Sequence, residues 1–303
     1  FFDALATAAF GSDAGKDVVE LEPAEGDRGS GDGGRGSGAA PPAPYRVIVK
    51  NGDDLRQDQL VLQFVLLMDL LLKRVNLDLK LTCYRALATG ASSGLLQFVE
   101  DSAAISSILA DHGGSITAFL RRWNPDRRAA DGVSAEARDN FTRSCAGYCV
   151  VTYLLGIGDR HLDNIMIAKD GRLFHIDFGF ILGKDPKPYP PPFRLTKEMA
   201  EAMGYPDDPN YTQKFKTKCC QAYTCLRKHA PLLLNLMSLM KDAGIEHLSE
   251  ESDVKLAKFQ DRFRLDLSDE DAERFFLSLI NESLNALVPV VLEKFHKIAV
   301  WMK

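Results

Sequence analysis

The segment GIGDRHLDNIMIAKDGRLFHIDFGF, Gly156 to Phe180, constrains this chain more than any other. A polar loop ending at Asn164 is followed by a short apolar run, a Lys-Asp-Gly turn at 169–171, a second apolar run, and then Asp177-Phe178-Gly179. Two apolar runs about such a turn predict a β-hairpin that brings the end of the polar loop beside Asp177. Phosphoryl transfer asks little covalent work of a protein, but it needs ligands for a bridging metal ion and a group that orients or deprotonates the attacking hydroxyl. Asp177 offers a hard oxygen ligand for Mg²⁺, and Asn164 offers a second. His161 and Asp159 are both candidates for the base, and the sequence does not choose between them. A lone Asp-Phe-Gly ends many strands; the loop, the hairpin and HIDFG in this order carry the reading. His175, between Phe174 and Ile176, reads equally as a core histidine or as a support for the site.

The remaining composition sets bounds. With 303 residues, 46% hydrophobic and 26% charged, the chain can bury one large core or two modest ones. A net charge of -5 argues against a nucleic-acid partner held by bulk electrostatics. The apolar run from Leu60 to Leu72 is broken by Asp69 and is too short to span a bilayer. Cysteines at 83, 145, 149, 219, 220 and 225 form no CxxC pair and have no histidines at zinc-finger spacing, so they read as reduced thiols of an intracellular protein. The chain opens at Phe1 without a signal-peptide pattern and reads as a piece of something longer.

From Gly11 to Pro44 the composition turns to Gly, Ser, Ala, Pro and Asp, which predicts a disordered, low-complexity insert. Its GxGxxG at Gly29, Gly31 and Gly34 lacks the strand before and the helix after that a phosphate-binding fingerprint requires. Order is expected to begin at Tyr45, with YRVIVK as a strand and Asn51-Gly52-Asp53-Asp54 as a turn. A helix follows, with Leu60, Phe64, Leu67 and Leu71 on one stripe. The runs LTCYRALA and LLQFV predict two strands about the turn near Gly90 to Gly94, and the chain beyond Asp101 reads as mostly helical outside the GDRHLDN to PPPFRL stretch. Ser268 before Asp269, Glu270 and Asp271 reads as a helix N-cap with an acidic first turn.

Together, DRHLDN and HIDFG resemble the signature of the phosphatidylinositol 3-/4-kinase superfamily and differ from the HRDxxxxN loop of protein kinases. The likeness covers nearly all of Tyr45 to Lys303, including VIVKNGDDLRQDQ and Tyr84. It implies that Lys50 contacts the phosphates of ATP and pairs with Asp58, that Tyr84 lies at the back of the nucleotide site, and that Gln97, Phe98 and Val99 form the hinge that reads adenine. Ile176 would pack under the base. The implied cofactors are ATP and Mg²⁺ or Mn²⁺, the metal resting on Asp177 and Asn164. The family's use of a histidine favours His161 as the base, with Asp159 orienting it or the substrate. The family's loop over the β- and γ-phosphates lies upstream of Lys50, and nothing between Phe1 and Pro44 resembles it, so this stretch alone is expected to lack part of the nucleotide clamp.

The segment after Asp177, FGFILGKDPKPYPPPFRL, resembles class III phosphatidylinositol 3-kinases in its DPKPxPPP string, as do LRQDQ and SCAGYCVVTYLLGIGDRH. Phe180 stands where class I enzymes usually have His. Reading a polyphosphorylated headgroup takes a cluster of cations. Here Lys184, Lys187 and Arg194 are scattered around Asp185, which suits unphosphorylated phosphatidylinositol. Near Pro289 the last helix is interrupted, and beyond it Leu292, Phe295, Ile298, Ala299 and Met302 form an apolar stripe that would lie on a membrane or on the chain's own catalytic lobe.

The fold expected is α+β and two-lobed, like a protein kinase: an N-lobe remnant with the Gly/Ser-rich insert over 1–44, a truncated strand-rich N-lobe over 45–99, and a large helical C-lobe over 100–303. The function implied is ATP-dependent phosphorylation of the 3-hydroxyl of phosphatidylinositol, peripherally on endosomal or autophagic membranes from the cytoplasm. A regulatory kinase-like subunit and an autophagy-type adaptor are the implied partners. The alternatives are a related serine/threonine protein kinase and an inactive fragment without its phosphate loop.

Overall fold

The alternating β-branched run of YRVIVKN forms β2 (Tyr45–Asn51), with Val47 and Ile48 buried. The computed structural model describes residues 17–21, 45–249 and 251–286. Strand β2 pairs antiparallel with β4 (Ser93–Gln97), Val47 opposite Gln97, and β4 pairs in turn with β3 (Ala86–Gly90). Strand β1 (Asp17–Leu21) covers the other edge of β2, so the sheet runs β1-β2-β4-β3.

Helix α1 (Arg56–Arg74) packs across β3. Leu60, Val61, Phe64, Val65, Met68, Leu71 and Leu72 are all buried, an apolar arc broad enough to face two neighbours at once. Asp58 in its first turn and Lys73 and Arg74 in its last complement the helix dipole. Its far side meets the helical region, so the apolar core runs without a break from Ile48 to Ile280.

The second sheet is β5 (Ser102–Ala104), β6 (Ile165–Ala168) and β7 (Leu173–His175), antiparallel in that order, with Ile165 opposite His175. Every residue of β6 and β7 is buried, which is why both runs lack a polar face. Short helices α2 (Ile105–Asp111) and α3 (Ile116–Trp123) follow β5, and α4 (Ala135–Leu155) packs along β7. Ser134 caps α4 by accepting from Ala137 N–H, and Gly156 ends it in the left-handed region at φ +59°. Helix α5 (Lys197–Ala202) and a π-helical stretch (Asn210–Phe215) lead into α6 (Lys216–Lys228), α7 (Ala230–Leu239), α8 (Glu246–Ser249), α9 (Ser252–Asp261) and α10 (Asp269–Asn285). The cap expected at Ser268 forms: its Oγ accepts from Asp271 N–H at 3.1 Å. This is the α+β kinase-like arrangement expected from the sequence.

Three local expectations differ from the structure. Composition predicts no order between Gly11 and Pro44, yet Asp17–Leu21 is a strand, because β2 offers an open edge to which the backbone of DVVEL can bond. The LTCYRALA run enters a sheet only at Ala86. Before that, Asn76 and Lys80 take positive φ, and side chains of α4 hold the backbone: Arg143 donates to Asp78 O and Tyr148 Oη to Thr82 O. The helical reading beyond Asp101 passes over β5, whose Ser-Ala-Ala carries no strand signal and is recruited by the edge of β6. Pro289 and the stripe from Leu292 to Met302 lie outside the described residues.

Candidate active site

The loop between α4 and β6 is fixed at both ends by main-chain pairing. Leu182 N–H donates to Leu155 O, Gly183 N–H to Gly156 O, and Gly158 N–H to Phe180 O, each at 2.9 Å, so the loop and the segment after Asp177 run side by side. A Cβ on Gly158 would collide with Lys184 O, and one on Gly156 would come 2.5 Å from Gly183 N. Further along, Ile176 N–H donates to Asn164 O at 3.1 Å, and Asn164 Nδ2 donates to Asp159 O at 3.1 Å. Asn164, 3% exposed, is thereby held beside Asp177 as the hairpin reading requires, with its Oδ1 as the atom left for a ligand. Both Asp159 and Asp177 sit at positive φ, +50° and +60°.

Arg160, unremarked in the sequence reading, organises this junction. Its guanidinium is buried and donates to Gly158 O at 2.7 Å, to Ile176 O at 2.8 Å and to Asp177 O, with Phe178's ring beside it. Burial pulls its pKa below the ordinary arginine value, against the opposing pull of Asp177 and Asp159. One planar fork thus ties the loop before β6 to the residues after β7.

Helix α1 grips the same place from the other lobe. Gln57 Nε2 donates to Phe178 O at 2.6 Å, and Phe178 N–H donates to Asp58 Oδ1 at 3.2 Å. Burial raises the Asp58 carboxyl from 3.8 to about 6; the Lys50 charge lowers it, and Asp177 raises it further. The Lys50 ammonium is buried and lies 3.2 Å from Asp53 in the turn that follows β2, and its charge also reaches Asp58.

His161 stands between two carboxylates. Its Nδ1 is 3.4 Å from Asp163 Oδ2, and its Nε2 is 3.9 Å from Asp159 Oδ2. Ser106 Oγ donates to the other oxygen of Asp163, and Ser106 N–H donates to Leu162 O, which anchors the loop to α2. Asp159 is also engaged: Lys187 Nζ lies 2.8 Å from its Oδ1, and its N–H donates to Asp185 Oδ2 at 2.9 Å. Neither Asp163 nor Asp185 was singled out from sequence, although both lie within the quoted motifs. Lys184 is exposed, whereas Arg194 is only 7% exposed. His175 is buried, stacked on Tyr148 at 5.1 Å, and burial together with Arg160 pulls its pKa well below the usual value; it is a neutral core side chain.

Between the two sheets lies a cleft of about 440 Å³, its solvent-open mouth included. Ile48, Tyr84, Leu96, Gln97, Phe98 and Val99 line one wall, and Ser102, Met166, Phe174 and Ile176 the other. All five residues expected around a nucleotide base, Tyr84, Gln97, Phe98, Val99 and Ile176, are therefore brought together. Phe98 N–H is taken by Arg46 O at 3.1 Å, and Val99 O accepts from Ser102 Oγ at 2.8 Å. Among the described residues nothing accepts from the Val99 N–H, which leaves a main-chain donor at the lip of an apolar slot. Met166 and Ser102 were not foreseen. Among the described residues no three His, Cys, Asp or Glu side chains converge as a metal site. Asp177 and Asn164 supply oxygen donors only, a set that fits a hard cation completing its shell with phosphate and water.

An apolar slot between two small sheets, with the Val99 N–H free at its lip and with Ile176 of its wall leading directly into Asp177, is an arrangement that a kinase-like fold provides. The chain belongs to the phosphatidylinositol 3- and 4-kinase family, whose profile matches residues 44–249. It is 52% identical over 252 residues to phosphatidylinositol 3-kinase VPS34 of Arabidopsis thaliana, covering 83% of this chain and 31% of that protein. It is 51% identical to phosphatidylinositol 3-kinase pik3 of Schizosaccharomyces pombe, over 86% of this chain and 32% of that protein. With VPS34 of Saccharomyces cerevisiae the identity is 47%, over 84% and 29%. The chain thus spans under a third of the length of these curated relatives.

Proposed function

We propose that the protein transfers the γ-phosphate of ATP to the 3-hydroxyl of phosphatidylinositol, giving phosphatidylinositol 3-phosphate for membrane trafficking and autophagy. The observation that carries this reading is that Ile176, which lines the apolar slot, directly precedes Asp177 and donates its N–H to Asn164 O, on the same loop that carries His161 between two carboxylates. Adenine fits between Ile48 and Met166 on the two walls, with the Val99 N–H donating to it and Tyr84 closing the back. Lys50 faces the phosphates. Asp177 and Asn164 would hold Mg²⁺ or Mn²⁺, which when bound supplies charge neutralisation on the phosphate oxygens.

Geometry favours His161 over Asp159 as the base. An ammonium at 2.8 Å occupies an Asp159 oxygen, whereas Asp163, anchored by Ser106, lies 3.4 Å from His161 Nδ1 and favours a proton there, which leaves the lone pair on Nε2. Lys187 is tied to Asp159 and Arg194 is buried, which leaves few cations for a polyphosphorylated headgroup and supports unmodified phosphatidylinositol as the substrate. The names of the curated relatives support the same position on the ring. A regulatory kinase-like subunit, an autophagy-type adaptor and residence on endosomal or autophagic membranes rest on that likeness alone. Among the described residues no helix is long and apolar enough to cross a membrane.

The test is to incubate the full-length protein with ATP and matched vesicles carrying either phosphatidylinositol or its 4,5-bisphosphate, and to identify the labelled ring position. Label at the 3-position of phosphatidylinositol, with negligible label on the bisphosphate, is expected. Comparable rates on the two lipids, or label elsewhere on the ring, would overturn the assignment.

A further inference from the structure

Tyr189 is 89% exposed, more than any other large hydrophobic side chain among the described residues. It stands at the tip of a loop whose ends are fixed. On one side Ile181 and Leu182 are buried, and Asp185 accepts from the N–H groups of Asp159 and Lys187 at 2.9 and 2.8 Å. On the other, Phe193 and Leu195 are buried, and Phe193 stacks on Phe276 with ring centres 5.6 Å apart. Between these anchors Pro186, Pro188, Pro190, Pro191 and Pro192 each fix φ, so holding the tip in place requires little further ordering.

The tip is also close to the chemistry. Lys187 Nζ lies 2.8 Å from Asp159, and two residues of chain span at most about 7 Å, so the Tyr189 backbone stands within about 7 Å of a residue that contacts the loop carrying His161. Residues 186–195 include Lys187 and Arg194 and no acidic side chain. A tyrosine has an apolar ring and a polar end, which suits the headgroup level of a bilayer, and prolines bring no N–H group that would go unsatisfied there. A proline-binding domain is the competing occupant. Tyr189, however, takes a φ of +54°, which interrupts the left-handed polyproline helix that such domains read.

We propose that the Pro188-Tyr189-Pro190 tip is an interfacial membrane anchor, Tyr189 seating among the headgroups of a phosphatidylinositol-containing bilayer and holding that surface against the catalytic loop. The inference rests on the lipid substrate assigned above. It concerns docking of the bilayer and not recognition of the inositol ring.

Full-length protein carrying Tyr189→Trp is mixed with vesicles of phosphatidylcholine containing phosphatidylinositol as the minor lipid, and its emission is read as a difference from the parent. A blue shift, quenched by lipids brominated in the acyl chain, is expected. An unchanged difference spectrum while sedimentation shows the protein on the vesicles overturns the proposal. Tyr189→Ala is expected to lower the initial rate on vesicles by about 3- to 10-fold and to leave the rate on monomeric short-chain phosphatidylinositol unchanged. Equal losses on the two would overturn it by making the tip part of the headgroup site. If the parent phosphorylates neither lipid, the substrate assignment fails, and the fluorescence result still decides the anchor. Capture of a 186–195 peptide by a polyproline-binding domain, with no spectral change on vesicles, replaces the bilayer with a protein partner.

Discussion

Arg160→Lys keeps the positive charge at the centre of the site and removes the fork. In the parent, one guanidinium donates to the carbonyls of Gly158, Ile176 and Asp177, two of them at 2.7 and 2.8 Å. Each hydrogen bond from a charged donor is worth about 1.5–3 kcal/mol net. A lysine ammonium is a point donor on a shorter reach and satisfies one of the three, so the loss is about 3–6 kcal/mol before relaxation. Water entering the loop recovers part of that, and a net loss of about 3 kcal/mol is expected. At about 2–4 °C per kcal/mol for a domain of this size, the melting midpoint falls by about 6–12 °C. Activity falls further, because the Asp177 carbonyl is no longer tied to the loop that carries His161, and a misplacement of about 1 Å costs about 100-fold in rate. The assay is phosphatidylinositol phosphorylation at saturating ATP and Mg²⁺, below the midpoint, beside thermal unfolding of the same preparation. A Lys variant that melts and turns over like the parent would refute the reasoning. Arg160→Met separates the contributions: if Met is inactive and Lys is fully active, the charge matters and the fork does not.

Asp177→Asn is expected to lower phosphorylation by about 10³-fold or more with little change in melting, since it removes a metal ligand and leaves the backbone contacts of the site in place; unchanged turnover at saturating Mg²⁺ would defeat the metal assignment. Asp163→Ala should cost about 100-fold in rate by freeing the His161 ring, and Asp163→Asn should be no better, because an amide donating to Nδ1 forces the proton onto Nε2. Recovery of the parent rate in the Asn variant would remove His161 as the base. Asp58→Asn tests the buried carboxyl through pH. Its value rises from 3.8 to about 6 on folding, so its contribution to stability is fully present below the unfolded value and is lost as pH rises through about 6. The parent should therefore lose about 3 kcal/mol relative to the Asn variant between pH of about 4 and 7, read by denaturant unfolding; parallel stability curves would show that the shift is absent.

The residue types at the site were legible in the chain because DRHLDN and HIDFG are contiguous and their hairpin is local: a Lys-Asp-Gly turn can only bring Asp177 back toward Asn164. The β2 strand, the stripe of α1 and the Ser268 cap were legible for the same reason, since each depends on neighbours within a few residues. What holds the site in place was not. Gln57 reads as one more polar residue at a helix start until folding places the Phe178 carbonyl, 121 positions away, against its amide. Arg160 reads as a loop cation until three carbonyls close around it, and Asp163 until Ser106 of a distant helix takes one of its oxygens. Strands β1 and β5 form on edges supplied by β2 and β6 and not from propensity of their own. The sequence by itself determined which side chains are the candidates for the chemistry and that one short hairpin holds them. Only the tertiary structure brought Ser106 to the Asp163 that flanks His161 and the Lys187 ammonium to Asp159, because both partners come from elsewhere in the chain.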